Sequence, residues 1–143
     1  MCRHCLIVLI AGLGAGLCGC PAAPDADPKN VSFAQDVQPI FTADCAGCHS
    51  PGGFAQAAGI TLDLTAGNAF DSLAEHSEAD HADDAGGHAA LVVPGDAESS
   101  FLFDKISSAS PASGERMPLL GFPLSDSQIA TIRDWIDAGA PNN

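Results

Sequence analysis

Basic residues are scarce in this chain. Five Lys and Arg stand against eighteen Asp and Glu over 143 residues, a formal net charge of −13. Such a balance argues against nucleic acid and an anionic membrane surface as partners, because both repel it. It suits a basic partner, or simply solubility at a crowded surface. Long apolar runs are also lacking. Leu6 to Leu17 is apolar and interrupted only by glycines, too short to cross a bilayer but right for the core of a secretory signal. A second Cys-x-x-Cys is missing, so a four-ligand zinc site has no second close pair. The alternation of strand and helix that a thioredoxin-like dithiol needs is missing around Cys45. Methionine is rare: there are two, and Met117 alone remains once the leader is removed.

What the chain does have is Cys45-Ala46-Gly47-Cys48-His49. Residues three apart share one face of a helical turn. Two thiols so placed can reach the two vinyl groups on one edge of a porphyrin. The next residue, His49, can then offer a neutral imidazole nitrogen to iron. The pattern reads as attachment of one covalent haem c through Cys45 and Cys48.

The N-terminal end reads as a leader. Arg3 and His4 precede the apolar run, which ends in Leu17-Cys18-Gly19-Cys20. That ending resembles the lipobox of bacterial lipoproteins. The resemblance implies a signal peptide over 1–19, cleavage before Cys20 and a lipid on its sulfur. Three fatty chains anchor firmly where one binds only marginally. An ordinary signal peptide, cut nearby to release a soluble protein, is the alternative. Either way the product is exported to the cell envelope, in the periplasm or on the outer surface. Residues 20–31 are proline-rich with little to bury, and read as a flexible linker. The cysteines are then all assigned. Cys2, Cys5 and Cys18 leave with the leader, Cys20 takes lipid, and Cys45 and Cys48 take haem.

Residues 32–141 form one small domain, with helical periodicity and long loops. Ser32 and Gln35 suggest a capping box, followed by Phe33, Val37, Ile40 and Phe41 at helical spacing. Pro39 is expected to end or kink that helix. Pro51-Gly52-Gly53 reads as a loop, and Thr65 to about Ala74 as a short helix. Residues 75–90 are acidic and rich in histidine, without apolar periodicity, and read as an exposed loop. Val92 and Val93 look strand-like before a turn. Asp96 is placed to cap a helix running to about Ile106. Ser125 and Gln128 make a second capping box. Ile129, Ile132, Trp135 and Ile136 follow at helical spacing, with Trp135 a core residue, and Gly139 closes the helix. The expected fold is all-α, with about four short helices around the haem.

Several segments together resemble the small monohaem cytochrome c domains named after planctomycetes, a class I cytochrome c-like family. They are Phe33-Ala-Gln-Asp-Val-Gln-Pro-Ile40, the Cys45–His49 motif, Leu62-Asp-Leu64, Val93-Pro-Gly95, Arg116-Met-Pro118 and Trp135-Ile-Asp-Ala-Gly-Ala140. The resemblance spans nearly all of residues 32 to 141, though the 75–90 stretch has no counterpart in it. It implies a first and a last helix clamping the haem. It also implies Met117 as the axial ligand opposite His49, and the Pro94 carbonyl as the group that holds the His49 ring.

Read from the residues alone, Met117 stands in a loop with no apolar stripe around it. Its soft thioether suits haem iron, and His/Met ligation raises the reduction potential. A gap-filling methionine, or a histidine from the 75–90 stretch as the true ligand, are the alternatives. Arg116 is placed either to pair a haem propionate or to sit in solvent.

The function expected is electron transfer by a monomeric carrier, not an enzyme, docking transiently with redox donor and acceptor proteins. One alternative is a haem peroxidase or gas or redox sensor with an open sixth position. His76, His81, His88 and Arg116 would then be the available distal groups. Another alternative is a metal-handling lipoprotein using the 75–90 histidines.

Overall fold

A computed structural model describes residues 30–76, 88 and 90–143. The leader 1–19, Cys20, nearly all of the linker, His81 and most of the 75–90 loop lie outside the described residues. Five α-helices are present among those described: α1 Gln38–Asp44, α2 Phe54–Ala57, α3 Ala69–Glu75, α4 Phe101–Ser107 and α5 Asp126–Asp137. A π-wound turn, Phe33–Val37, runs directly into α1. No strand forms among the described residues, where Ala90 and Ser100 make one isolated bridge. The all-α expectation holds, with one helix more than the approximate count expected. None of the helices in the described residues is long and apolar enough to cross a membrane.

The first helical segment starts as expected but closes differently. The Ser32 hydroxyl accepts from the Gln35 N–H at 3.2 Å. The return bond to the Ser32 N–H comes from the Asp36 carboxylate at 2.8 Å, not from Gln35. The chain does not stop at Pro39. The turn before it is π-wound, with the Gln38 N–H reaching back to the Phe33 carbonyl. That wider turn absorbs the break in the ladder where Pro39 has no N–H to give. Asn143 satisfies the first amides of the segment. Its side-chain oxygen accepts from the Phe33 N–H at 2.8 Å, and its backbone oxygen accepts from Ala34 N–H at 2.9 Å.

α5 carries the reciprocal capping box of Ser125 and Gln128. It ends in a Schellman closure: Gly139 N–H donates to Ile136 O and Ala140 N–H to Trp135 O, both at 2.9 Å. Gly139 has φ +100, a conformation that costs glycine little. The first helical segment, from the π-wound turn through α1, meets α5 at two places. Phe33 meets Trp135 at one end, and Gln128 donates to Asp44 at 2.8 Å at the other. Phe33, Val37, Ile40 and Phe41 are all buried, as are Ile132, Trp135 and Ile136. The periodic apolar positions thus meet in one core, which also takes Leu64, Leu73, Leu102 and Ile106. Val31, at the end of the expected linker, is buried there as well.

Residues 92–100 differ from expectation. Val92 is buried without belonging to a strand. α4 starts at Phe101 with Ser100 as its N-cap residue, whereas Asp96 caps only the turn before it, accepting from the Ser99 N–H at 3.0 Å and the Ser99 hydroxyl at 2.7 Å. The fully buried Ser100 hydroxyl accepts from Val93 N–H and donates to Asp96 O, each at 2.8 Å. A buried polar group with both roles satisfied holds this turn where a strand pairing was not available.

Candidate functional site

Cys45 is the residue after α1, and its N–H still donates to the Phe41 carbonyl at 3.0 Å. The next turn is closed by Cys48 and His49, whose N–H groups both donate to Cys45 O, at 3.0 and 2.9 Å. The chain then doubles back on this turn. Ala55 N–H donates to Cys48 O at 3.1 Å, and Gly53 N–H donates to Ser50 O at 2.8 Å. A Cβ on Gly53 would stand 2.4 Å from Cys48 O, so only glycine permits so close a return. It positions the short α2, which sequence periodicity does not suggest.

A second brace comes from residues 62–64. Leu64 N–H donates to His49 O at 2.9 Å, and Gln38 of α1 donates to Leu64 O at 3.2 Å. Asp63 makes its own compact turn, accepting from the Thr65 hydroxyl at 2.7 Å, Thr65 N–H at 2.9 Å and Asn68 at 3.1 Å. These donors hold the Asp63 carboxyl below its ordinary pKa. The Leu62–Leu64 segment is therefore tied to the histidine through its backbone.

Both motif cysteines are free thiols of intermediate exposure. Burial pushes the Cys45 thiol up to about 12, and the neighbouring Asp44 and Cys48 add to the effect. A dithiol redox centre needs the opposite shift, which weighs against the dithiol reading of Cys45 and Cys48. No group of three or more His, Cys, Asp or Glu side chains poised for a metal ion occurs among the described residues.

Burial lowers the His49 pKa, and the Leu62 backbone carbonyl opposes this in part. The imidazole is therefore neutral at neutral pH, the form that ligates a metal. Its Nδ1 is buried without a hydrogen-bond partner. An orphaned buried nitrogen is uncommon in a folded protein unless some further group completes it. The expected Pro94 carbonyl does not reach this nitrogen, which has no hydrogen-bond partner. The Val93–Gly95 turn instead meets the end of α5, where Gly95 N–H donates to Ile136 O at 2.7 Å and Ala97 N–H to Asp137 at 2.9 Å.

Met117 is partly buried and packs against the same core cluster as Cys45. It is held by its backbone, with its N–H donating to Lys105 O at 2.7 Å. Arg116 directs Nε to the Ile106 carbonyl at 3.0 Å, so at least one of its donors serves the loop itself. Lys105, unremarked in the sequence, reaches into that loop too. Its ammonium donates to Ser113 O at 3.0 Å and to Glu115 O. Burial lowers its pKa, with Asp104 and Glu115 opposing.

The rival histidines are engaged elsewhere. His76 bonds Ser72 O through Nδ1 at 2.8 Å and the Thr61 hydroxyl through Nε2 at 3.1 Å. His88 bonds Ser99 O through Nδ1 and Asp104 through Nε2, each at 3.2 Å. With both ring nitrogens taken, neither is presented to a metal or a substrate, which weighs against the distal-catalyst and sixth-ligand alternatives. His81 lies outside the described residues.

Exposed large apolar side chains follow the two expected ligands in sequence. Phe54 and Ile60 come after His49, at 59% and 45% exposure. Leu119, Leu120 and Phe122 come after Met117, at 48%, 71% and 93%.

No family model matches the chain, and no curated protein matches it. Among solved structures it is similar to hydrazine synthase of Kuenenia stuttgartiensis, with a TM-score of 0.51 and 25% sequence identity. That similarity covers 77% of this chain and 16% of the other. The chain therefore corresponds to a small portion of a much longer protein. The helical fold is shared with that portion, and the whole enzyme's activity does not follow from it.

Proposed function

We propose that this protein is an exported electron carrier of the planctomycete-type monohaem cytochrome c kind. It holds one covalent haem c through Cys45 and Cys48, with His49 and Met117 as axial ligands. The observation that carries the reading is the Cys45–His49 turn. Two free thiols of intermediate exposure stand one helical turn apart, beside a neutral imidazole whose buried Nδ1 has no partner in the protein. Each thiol adds across a vinyl double bond, with sulfur on one carbon and hydrogen on the other, so nothing is released or oxidised. His49 offers an uncharged nitrogen without first losing a proton. The Leu62–Leu64 brace holds its backbone, and the loop from α4 presents the Met117 thioether. With both axial positions filled, a bound haem supplies one-electron exchange and leaves little room for a substrate.

Export and lipidation at Cys20 belong to the same reading, supported by the Leu17–Cys20 sequence. The partners are redox proteins with basic docking faces, met transiently by a monomer whose own charge is strongly negative. The test is expression in a host able to mature c-type cytochromes. The expected product is coloured, carries one covalent macrocycle by intact mass, shows sharp low-spin bands, and resists carbon monoxide when reduced. A colourless product of unmodified mass overturns the proposal, and prompt carbon monoxide binding overturns the closed sixth position.

A further inference from the structure

We infer that Lys105 is a positioning residue for Met117, fixing the loop that presents the thioether. The inference rests on Met117 being the axial ligand of the reading above. α4 ends at Ser107, and the last carbonyls of a helix have no partner within it. Here two of them are spent on the ligand loop: Lys105 O accepts from Met117 N–H at 2.7 Å, and Ile106 O accepts from Arg116 Nε at 3.0 Å. The loop is gripped again further back. Asp104 accepts from the Ala112 N–H at 2.7 Å. The Lys105 ammonium takes Ser113 O at 3.0 Å and Glu115 O as well.

The ammonium sits in a fitted place. Its Nζ lies 5.6 Å from the centroid of the Phe101 ring, one turn earlier on α4, within cation–π range. Gly114 lies between the two accepting carbonyls, and a Cβ there would come within 3.1 Å of Nζ. An aromatic face, two carbonyls and a missing side chain make a cradle suited to one compact cation. Lysine fills it as a point charge with several donors, and a neutral residue cannot. The same residue thus binds Met117 through its backbone and orders the residues before Met117 through its side chain. A thioether is a neutral, weak ligand, so its hold on iron depends on how firmly the chain keeps it in place.

The experiment uses the haem-loaded protein and three variants: Lys105→Gln, Lys105→Arg and Gly114→Ala. The last crowds Nζ and also strains a backbone position held at φ +63, so it is read beside the Lys105 variants. The readouts are the Met–Fe(III) charge-transfer band, the reduction potential, and the rate of carbon monoxide binding to the reduced form, with Met117→Ala as reference. Lys105→Gln and Gly114→Ala are expected to weaken the band, lower the potential and speed carbon monoxide binding by about tenfold, the weight of one charge-assisted hydrogen bond. Lys105→Arg keeps the charge but not the compact shape, and is expected to fall between Lys105→Gln and wild type. Should Lys105→Gln fail to accumulate, Lys105→Ala decides. If the Lys105 variants match wild type while Met117→Ala loses the band, the positioning role is wrong and the ligand assignment stands. If Met117→Ala itself keeps the band, the ligand assignment falls, and the positioning role falls with it.

Discussion

The rings of Phe33 and Trp135 meet with centroids 5.2 Å apart and planes at 46°, joining the start of the first helical segment to the end of the last helix. Phe33 also meets Phe70 edge-on at 5.3 Å and Phe41 at 6.2 Å. Trp135, 1% exposed, donates its indole N–H to Pro141 O at 2.9 Å. One aromatic hub therefore joins α5 to the π-wound turn, which runs into α1 and so to Cys45.

Phe33→Ala should cost about 3–5 kcal/mol, the usual range for deleting a buried aromatic ring. Phe33→Leu should cost clearly less, because it leaves a smaller hole. Denaturant unfolding of the haem-loaded protein measures both. Equal midpoints for Phe33→Ala and wild type would show that the hub carries no weight.

Met117→Ala should leave the haem covalently attached while opening the iron. The reduction potential should fall and the reduced protein should take up carbon monoxide promptly. Spectropotentiometry together with gas titration checks this. An unchanged potential and spectrum would remove Met117 from the site.

Cys48→Ser should break one of the two covalent tethers, and Cys45→Ser combined with Cys48→Ser should break both. Intact mass under denaturing conditions separates the cases. The double variant should release all its haem into organic solvent. Retention of the macrocycle by the double variant would contradict attachment through these sulfurs.

Asp63 gives a pH signature. Its folded pKa lies below the ordinary carboxylate value, because Thr65 and Asn68 donate to the charged form. Its contribution is therefore present above the unfolded pKa of about 3.9 and is lost as pH falls through the lower folded value. Asp63→Asn should flatten the acid limb of the stability profile below about pH 4. The effect should be modest because the carboxylate is largely solvated. Thermal melts from pH 2 to 7 test this, and an acid limb identical to wild type would refute it.

Cys20→Ala should yield a soluble protein that is still fully loaded with haem, since haem attachment is assigned to Cys45 and Cys48 and the anchor to Cys20. Fractionation of membranes and soluble extract tests the anchor. Continued membrane association of the variant would contradict lipidation at Cys20.

Much of the fold was legible because its signals are local. Phe33, Val37, Ile40 and Phe41 recur at helical spacing, and so do Ile129, Ile132, Trp135 and Ile136. All are buried except Ile129, which is partly buried against the same core. The Ser125–Gln128 box formed as its spacing suggested. The illegible parts depend on partners distant in sequence or on competing donors nearby. Asp36 took the return bond expected of Gln35, because its carboxylate reaches the Ser32 N–H. Asp96 capped a turn rather than a helix, because Ser99 lay in reach and Ser100 began α4 instead. Gly53 looked like loop filler, yet its lack of a Cβ lets the chain return against Cys48.

Left to itself, the amino-acid order determined the chemistry on offer: two thiols and an imidazole in one turn, a lone downstream thioether, and a strongly acidic surface. These follow from residue type and short spacing, which no folding step changes. The tertiary structure decided which groups serve that chemistry. It left the His49 Nδ1 buried without a partner, engaged both nitrogens of His76 and of His88, and turned Lys105 toward the Met117 loop. Such choices arise only when distant segments compete for the same few donors and acceptors under burial, and sequence spacing carries no record of that competition.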